Sequence, residues 1–486
     1  MSAPARAVPG SAQLLATVLD AGSFRSWDAP ATPPAGADAR YRRELAAARD
    51  AAGTDESLAS GEGRVGGRRL AVAVSEFGFL AGSVGSTAAR RLVAAVERAT
   101  DERLPLLLSP ASGGTRMQEG TPAFLEMITI ADRVAAHRRA GLPVVVHLRH
   151  PATGGAFASW GSLGTVTTAE PGALVGFLGP KVYRALHGTD FPPDVQRSEN
   201  LAARGIVDAV TGADGLARLL DALLAVVERR PTVAPAAPPS PEPHGGPAPD
   251  AWASITATRR PDRPGVRELL DREAGDVVPL HGTGAGETAA ATVLCLARIG
   301  STPCVLVGQD RAAERPPGPA DLRVARRGFA LARELRLPLV TVVDTGGGEL
   351  SADAENGALA GEIARCLAEL ADLPVPSVSV LAGQGSGGAA LALFGARRRI
   401  AAGHAWLTPL PPEGASAIVH GTPDRAAEVV AAQQVRATDL ADAGAVDRIV
   451  PEHPDAADEP AAFTARLARA IEEEVRIAAT GPGRRR

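Results

Sequence analysis

Cysteine is almost missing from this chain. Three occur in 486 residues, at 295, 304 and 366, none of them in the first half and none in a CxxC pair. That excludes a disulfide framework and a cysteine-based zinc site, so a metal-free protein of the reducing cytoplasm is expected. Cys295, Cys304 and Cys366 each lie among apolar neighbours and read as small core residues. Long apolar runs are missing too. Nothing approaches the ~18 residues of a membrane span, and the opening "MSAPARAVPG" lacks the apolar segment of a secretory signal. Neither sign of charge dominates. A net charge of −4 leaves no electrostatic footprint for nucleic acid or an anionic membrane as partner.

What is present describes a globular α/β protein. Hydrophobic residues make up 45% and charged residues 22% of a chain longer than one core usually supports. The stretch "RPTVAPAAPPSPEPHGGPAP", beginning at residue 230, carries proline too densely for a helix or a paired strand and reads as an extended linker. The expected division is a domain over 12–229, the linker over 230–250, a second domain over 251–476 and a disordered tail over 477–486.

The two halves match at one constant spacing. Pro143 of "LPVVVHL" and Pro376 of "VPSVSVL" are 233 positions apart, and so are Leu104-Pro105 and Leu337-Pro338. The same spacing relates Gly113-Gly114 to Gly346-Gly347, Gly154-Gly155-Ala156 to Gly387-Gly388-Ala389, and Val72 and Val74 to Val305 and Val307. A single shift maintained over about 85 residues of strands, turns and helices indicates an internal duplication. Each copy reads as an apolar strand ("LAVAV", "CVLV"), a helix, and a second strand ending in a Gly-Gly turn. A long amphipathic helix and a third strand ending in another Gly-Gly turn follow. Strands alternating with helices predict a mainly parallel sheet with helices outside it.

The segment "HPATGGAFASWGSLGT" (150–165) has no carboxylate and no cysteine, yet it places a glycine pair where a strand gives way to a helix. The first N–H groups of such a helix have no intrahelical acceptor, and glycine lets a carbonyl oxygen approach them. Donors arranged in this way stabilise negative charge developing on oxygen, as in an enolate. The same pair would also serve plain close packing of helix on strand, and its repetition at Gly387-Gly388 is consistent with both readings.

Other loops carry a family resemblance. "SPASGGTRMQEG" (109–120), "HPATGGAFASWGSLG" (150–164), "TAEPGALVGFLGPKV" (168–182) and "FPPDVQRSENL" (191–201) resemble the β subunit of acetyl-CoA carboxylase carboxyltransferase, as do "GSFRSWDA" and "FGFLAGSVGS". "GQGSGGAALAL" (383–393), "PLPPEGASAI" (409–418) and "DLADAGAVDRIVPE" (439–452) are similar to its α subunit. The resemblance spans residues 12 to 455 in order, as in a natural β–α fusion.

That resemblance implies two tandem crotonase-like (ClpP/crotonase) domains. It further implies transfer of a carboxyl group from N1-carboxybiotin to the α-carbon of an acyl-CoA, giving malonyl-CoA from acetyl-CoA. Gly154 and Gly155 then match the site for the thioester oxygen, and Gly387, Gly388 and Ala389 the site for the ureido oxygen of biotin. Backbone dipoles would carry the reaction, with the biotin enolate itself taking the α-proton. Gly82, Gly85, Gly113, Gly114 and Arg116 match the acyl-CoA side, with Arg197 as a weaker candidate that an ion pair with Glu199 would equally explain. Gly346, Gly347 and Gly385 match the biotin side. His150 and His404 flank these loops and read as hydrogen-bonding residues.

No tightly bound cofactor is implied. Carboxybiotin would arrive on a separate biotin carboxyl carrier protein loaded by a biotin carboxylase, since no "MKM" biotinylation motif occurs here. Family members build their site between the β-type half of one protomer and the α-type half of another, so a homodimer or larger homo-oligomer is implied. Three features depart from the pattern: the amino-terminal four-cysteine zinc ribbon is missing, Asp-Thr-Pro-Gly appears as "DTGGGELS" from Asp344, and Ala81 stands where glycine is common. The altered 344–351 loop keeps two rivals open, a biotin-independent malonyl-thioester decarboxylase and a catalytically silent scaffold.

Overall fold

The computed structural model describes residues 10–228 and 250–480, so residues 1–9, the whole proline-rich stretch 230–249 and residues 481–486 lie outside it. Two units emerge. One takes in Met1–Leu224 with Gly284–Gly286, the other Ala225–Thr283 with Glu287–Arg486. The boundary therefore differs from the one expected at 229. The carbonyls of Ala225, Val226 and Glu228 accept hydrogen bonds from Arg298 and go with the second unit. Asp250 is already structured, capping the helix Ala251–Thr258 with its carboxylate. A 21-residue helix runs to Thr480, so residues 477–480 are helical where a disordered tail was expected.

The first unit is built on a seven-stranded sheet. Strands β1 (Arg25–Ser26), β2 (Leu58–Val65), β3 (Arg68–Ser75), β4 (Leu106–Ser109), β5 (Val144–Leu148), β6 (Val166–Ala169) and β7 (Ala209–Val210) lie side by side in chain order. The β1/β2 and β2/β3 pairs are antiparallel, and every later pair is parallel. "LAVAV" in β3, "LLL" in β4 and "VVV" in β5 are buried throughout, which is why they read as unbroken apolar runs rather than alternating ones. Helices α1 (Ala39–Ala52), α2 (Ser86–Asp101) and α3 (Gly120–Arg139) accompany the sheet. α1 buries Tyr41, Leu45 and Ala48, one stripe at helical spacing, around Phe79.

The second unit follows the same plan. Strands β8 (Ala274–Leu280), β9 (Thr292–Ile299), β10 (Thr302–Gln309), β11 (Leu339–Thr345), β12 (Ser377–Ser386), β13 (Arg398–Ala402) and β14 (Arg448–Val450) are again in chain order, two antiparallel pairs first and parallel pairs after. The short strand Trp406–Thr408 adds to the end of β12. Helices α4 (Pro319–Leu335), α5 (Leu359–Ala371) and α6 (Pro460–Thr480) cover it. The three cysteines are buried, and burial pushes each thiol up from its ordinary pKa.

The equivalence extends to backbone conformation. Arg103 and Arg336, 233 residues apart, are both left-handed, with φ of 54° and 55°. Gly154 and Gly387 have φ of 61° and 68°. The Ser112 hydroxyl accepts from Gly114 N–H at 3.0 Å, and that of Thr345 accepts from Gly347 N–H at 3.2 Å, so the two turns are wired alike.

Candidate active site

In the first unit, two turns meet at the ends of β4 and β5. After β4 the chain forms the Gly113–Gly114 turn, with Gly114 at φ +109°. After β5, Ala152–Thr153 pairs with Val175–Gly176 and leads into a single helical turn, Gly154–Phe157. The turns touch: a Cβ placed on Gly154 would lie 3.5 Å from Gly114 Cα, and one on Gly114 would lie 3.6 Å from Gly155 N. Only glycine leaves that gap open.

The four N–H groups do not serve alike. Gly113 donates to Ala81 O at 2.9 Å, Gly114 to the Ser112 hydroxyl, and Gly154 to Phe177 O at 3.1 Å. Gly155 N–H has no acceptor among the described residues. Of the expected pair, one donor is consumed internally and the other is available to a ligand. Thr115 Oγ1 would lie 3.1 Å from a Cβ on Gly155, so its side chain borders the same spot.

Arg116, expected to line a ligand pocket, is fully buried. Its guanidinium pairs in a fork with Glu56, donating at 2.5 Å and 3.1 Å, and also reaches Ser57 Oγ, Ser83 Oγ and the Ser83 carbonyl. Tyr41 Oη completes its partners at 3.4 Å. Its donors are spent within the protein, and none is left for a phosphate. Burial would lower the Arg116 pKa, but Glu56 outweighs it and holds the guanidinium charged. Tyr41 donates to Glu119, which caps α2 by accepting from the N–H and hydroxyl of Ser86. Burial alone would raise the Glu119 carboxyl, and those hydrogen bonds bring it below the ordinary range.

Gly82 and Gly85 also proved to be packing positions. A Cβ on Gly82 would overlap Ala111 O, and one on Gly85 would overlap the Glu119 carboxylate. Arg197 is exposed and donates to Gly172 O at 3.1 Å, while Glu199 accepts from Gly172 N–H. Together they brace the turn after β6. His150 Nδ1 accepts from Leu174 N–H, and His404 contacts Ser254 Oγ and the Pro454 carbonyl.

The second unit places Gly346–Gly348 beside the turn Gly387–Leu391, since a Cβ on Gly348 would lie 3.3 Å from that of Ala389. Gly346 and Gly347 border open space, where an added Cβ would meet only Gln384 Oε1 at 3.6 Å and Pro411 Cγ at 3.7 Å. Gly387 is equally open, and the N–H of Gly388 has no acceptor among the described residues. Gly385 does not belong to this opening: a Cβ there would crowd Leu381, Leu407 and the Trp406 carbonyl, which makes it a strand-packing glycine. In "DTGGG", where Gly346 stands at the proline position, the Thr345 hydroxyl bonds both the N–H and the carbonyl of Gly347. Beneath the turn, buried Asp344 accepts from Arg311 at 2.8 Å and from Gln384 N–H. Gln309 bridges Asp344 N–H to the Ala389 carbonyl. Sequence reading missed Glu56, Tyr41, Gln309 and the Phe177 carbonyl, none of which carries a local signal.

Among the described residues, no group of three or more His, Cys, Asp or Glu could hold a metal ion, and no helix is long and apolar enough to cross a membrane.

Comparison with known proteins gives the family. The model of the carboxyl transferase domain matches residues 14–486. A probable biotin-dependent acyl-coenzyme A carboxylase beta3 subunit of Mycobacterium tuberculosis is 58% identical over 468 residues, covering 95% of this chain and 93% of the relative. The acetyl-coenzyme A carboxylase carboxyl transferase subunits beta/alpha of Saccharopolyspora erythraea are 37% identical over 475 residues, covering 94% and 84%. Transcarboxylase 12S with methylmalonyl-coenzyme A and methylmalonic acid bound superimposes with a TM-score of 0.77 at 20% identity, covering 98% of this chain and 91% of that one. A single-chain, multi-domain long-chain acyl-CoA carboxylase gives 0.72 at 20% identity, covering 95% and 45%. At such identity the structural likeness speaks for the fold alone, a mixed α/β architecture. With its family model spanning nearly the whole sequence and relatives this similar along most of their length, the chain belongs to the carboxyl transferase family.

Proposed function

We propose that this chain is the carboxyltransferase subunit of a biotin-dependent acyl-CoA carboxylase, with acetyl-CoA as acceptor and malonyl-CoA as product. The observation that carries the reading is the pair of glycine gaps, each with a backbone N–H left without an acceptor, in two units of one plan. We take the units to be crotonase-like domains that arose by duplication. Gly155 N–H holds the thioester oxygen as the α-carbon loses its proton, and the Gly113–Gly114 turn walls the other side. Removing one such donor costs about 3 kcal/mol of transition-state stabilisation in other enzymes. Gly346, Gly347, Gly387 and Gly388 surround the place for a ureido carbonyl, with Gly388 N–H as donor. Carboxybiotin, delivered on a carrier protein, supplies the activated carboxyl group. Fixed dipoles and alignment suffice for the chain's part, so no side-chain base is required.

The carrier and a biotin carboxylase are the partners this reading requires. Met117, Phe124, Leu125 and Ile128, at and beside α3, are exposed apolar residues and support a homo-oligomer. Sedimentation of the purified chain as a monomer with full activity would dismiss that assembly.

One assay tests the reaction. The protein is incubated with malonyl-CoA with and without biotinylated carrier, following acetyl-CoA and carboxybiotin. Carrier-dependent turnover is expected. Release of carbon dioxide without carrier would instead identify a decarboxylase, and no turnover a scaffold.

A further inference from the structure

The segment Leu80–Ala81–Gly82 is the most strained run in the first unit. All three residues are left-handed, with φ of 45°, 54° and 63°, and two of them carry a Cβ. Strain of this kind persists only where surrounding contacts over-determine it, and it gathers at functional sites. Here the strained residues lie directly against the catalytic turn. Gly82 is packed on Ala111 O, Gly113 N–H reaches Ala81 O, Val84 N–H reaches Gly114 O at 2.9 Å, and Arg116 N–H reaches Val84 O at 3.0 Å. The two segments form one ribbon, and the gap at Gly155 is shaped by its outer strand.

Something must hold that ribbon, and one side chain touches it at two atoms. Arg116 lies in the ribbon itself and grips Ser83 through both its hydroxyl and its carbonyl. Its remaining donors are anchored on Glu56 and Ser57, just before β2, and on Tyr41 of α1. Ser57 Oγ also donates to the Ser83 carbonyl at 2.8 Å. A planar guanidinium with donors in a fixed fork suits such a multi-point clamp, and an ammonium does not. The second unit lacks the device. The position 233 residues on from Arg116 is Glu349, although the glycine turn itself is retained.

We infer that Arg116, anchored by Glu56 and Tyr41, is a positioning residue that holds the Leu80–Ser83 segment and through it the Gly113–Gly114 turn, without touching substrate. The inference rests on the carboxyl-transfer reading for its kinetic consequence, but not for its structural one.

The test uses Arg116→Lys in the full chain, with Tyr41→Phe as the milder variant should the first fail to fold. Two substrates are compared: malonyl-CoA, and malonyl-N-acetylcysteamine, which keeps the thioester but has no nucleotide or phosphate. A positioning role predicts that kcat falls by about 100-fold for Arg116→Lys, and by roughly three- to tenfold for Tyr41→Phe, with the same factor on both thioesters and little change in KM. A loss that shrinks on the truncated thioester, or that appears as a raised KM for malonyl-CoA alone, would overturn the inference in favour of phosphate contact. Amide hydrogen exchange supplies the second readout. Faster exchange confined to residues 80–84 and 111–116 is expected in either variant, and unchanged exchange there overturns the clamp. A wild-type chain inactive on both thioesters would defeat the proposed reaction, while the exchange result would still decide the clamp.

Discussion

Gly154→Ala puts the catalytic reading at greatest risk. Gly154 has φ +61°, so alanine there costs roughly 1–2 kcal/mol of backbone strain. In a unit of this size that lowers Tm by about 2–8 °C. The new methyl would clash with nothing: it would sit 3.5 Å from Gly114 Cα and 3.8 Å from Gly113 O, inside the gap between the two turns. An oxygen accepting from Gly155 N–H would have to move away. If that donor is lost to the transition state, activity falls by about 10²–10³. Gly22→Ala separates strain from chemistry, because Gly22 has φ +69° and open space around its missing Cβ. Both variants are assayed by thermal melting and by carrier-dependent acetyl-CoA formation from malonyl-CoA. Equal melting losses with a hundredfold difference in rate are expected. Activity of Gly154→Ala within threefold of Gly22→Ala would refute the oxyanion assignment.

Two other outcomes follow from the same geometry. Gly387→Ala, at φ +68° with only the Pro409 carbonyl near its added methyl, should lose carrier-dependent transfer by about 100-fold for a similar drop in Tm, and undiminished transfer would remove Gly387 from the biotin side. Burial lowers the pKa of His147 to about 3 and of His137 to about 4, with the Arg149 charge adding to the first. The unfolded chain, with imidazole near 6.5, binds protons that the folded chain refuses, so stability is full above pH 6.5 and declines as pH falls toward 3–4. Each histidine withdraws about 2 kcal/mol by pH 5. His147→Val, the residue its counterpart Val380 already is, should flatten that decline in melts at pH 5 and 7, and an unchanged slope would reject the assignment.

Much of this was legible in the chain because the relevant signals are local or repeated. "LAVAV", "PLLLS" and "PVVVHL" read as strands since parallel strands buried on both faces leave no alternation to decode. The 233-residue spacing located both glycine turns, and the structure adds the hydroxyl that wires each one. Arg116 shows where such reading stops. A motif places the guanidinium, but its partner Glu56 lies 60 residues away, and only the fold tells a buried ion pair from a ligand contact. The same holds for Gly82, Gly85 and Gly385: a glycine that opens space for a ligand and one that lets a carbonyl or carboxylate close in are identical on paper. Helix Pro460–Thr480 absorbed residues that composition assigned to a tail.

The two turns match in spacing, backbone conformation and wiring, but what stands behind them does not. One is clamped by Arg116, Glu56 and Tyr41, the other bridged by Gln309 and Asp344. For anyone recombining such proteins, the glycine turn is therefore one element on two unlike mountings. Mutation can soften or stiffen one mounting and leave the other untouched, so the two turns are free to drift at separate rates. A chimera exchanging only the glycine loops would carry the shape across without its support.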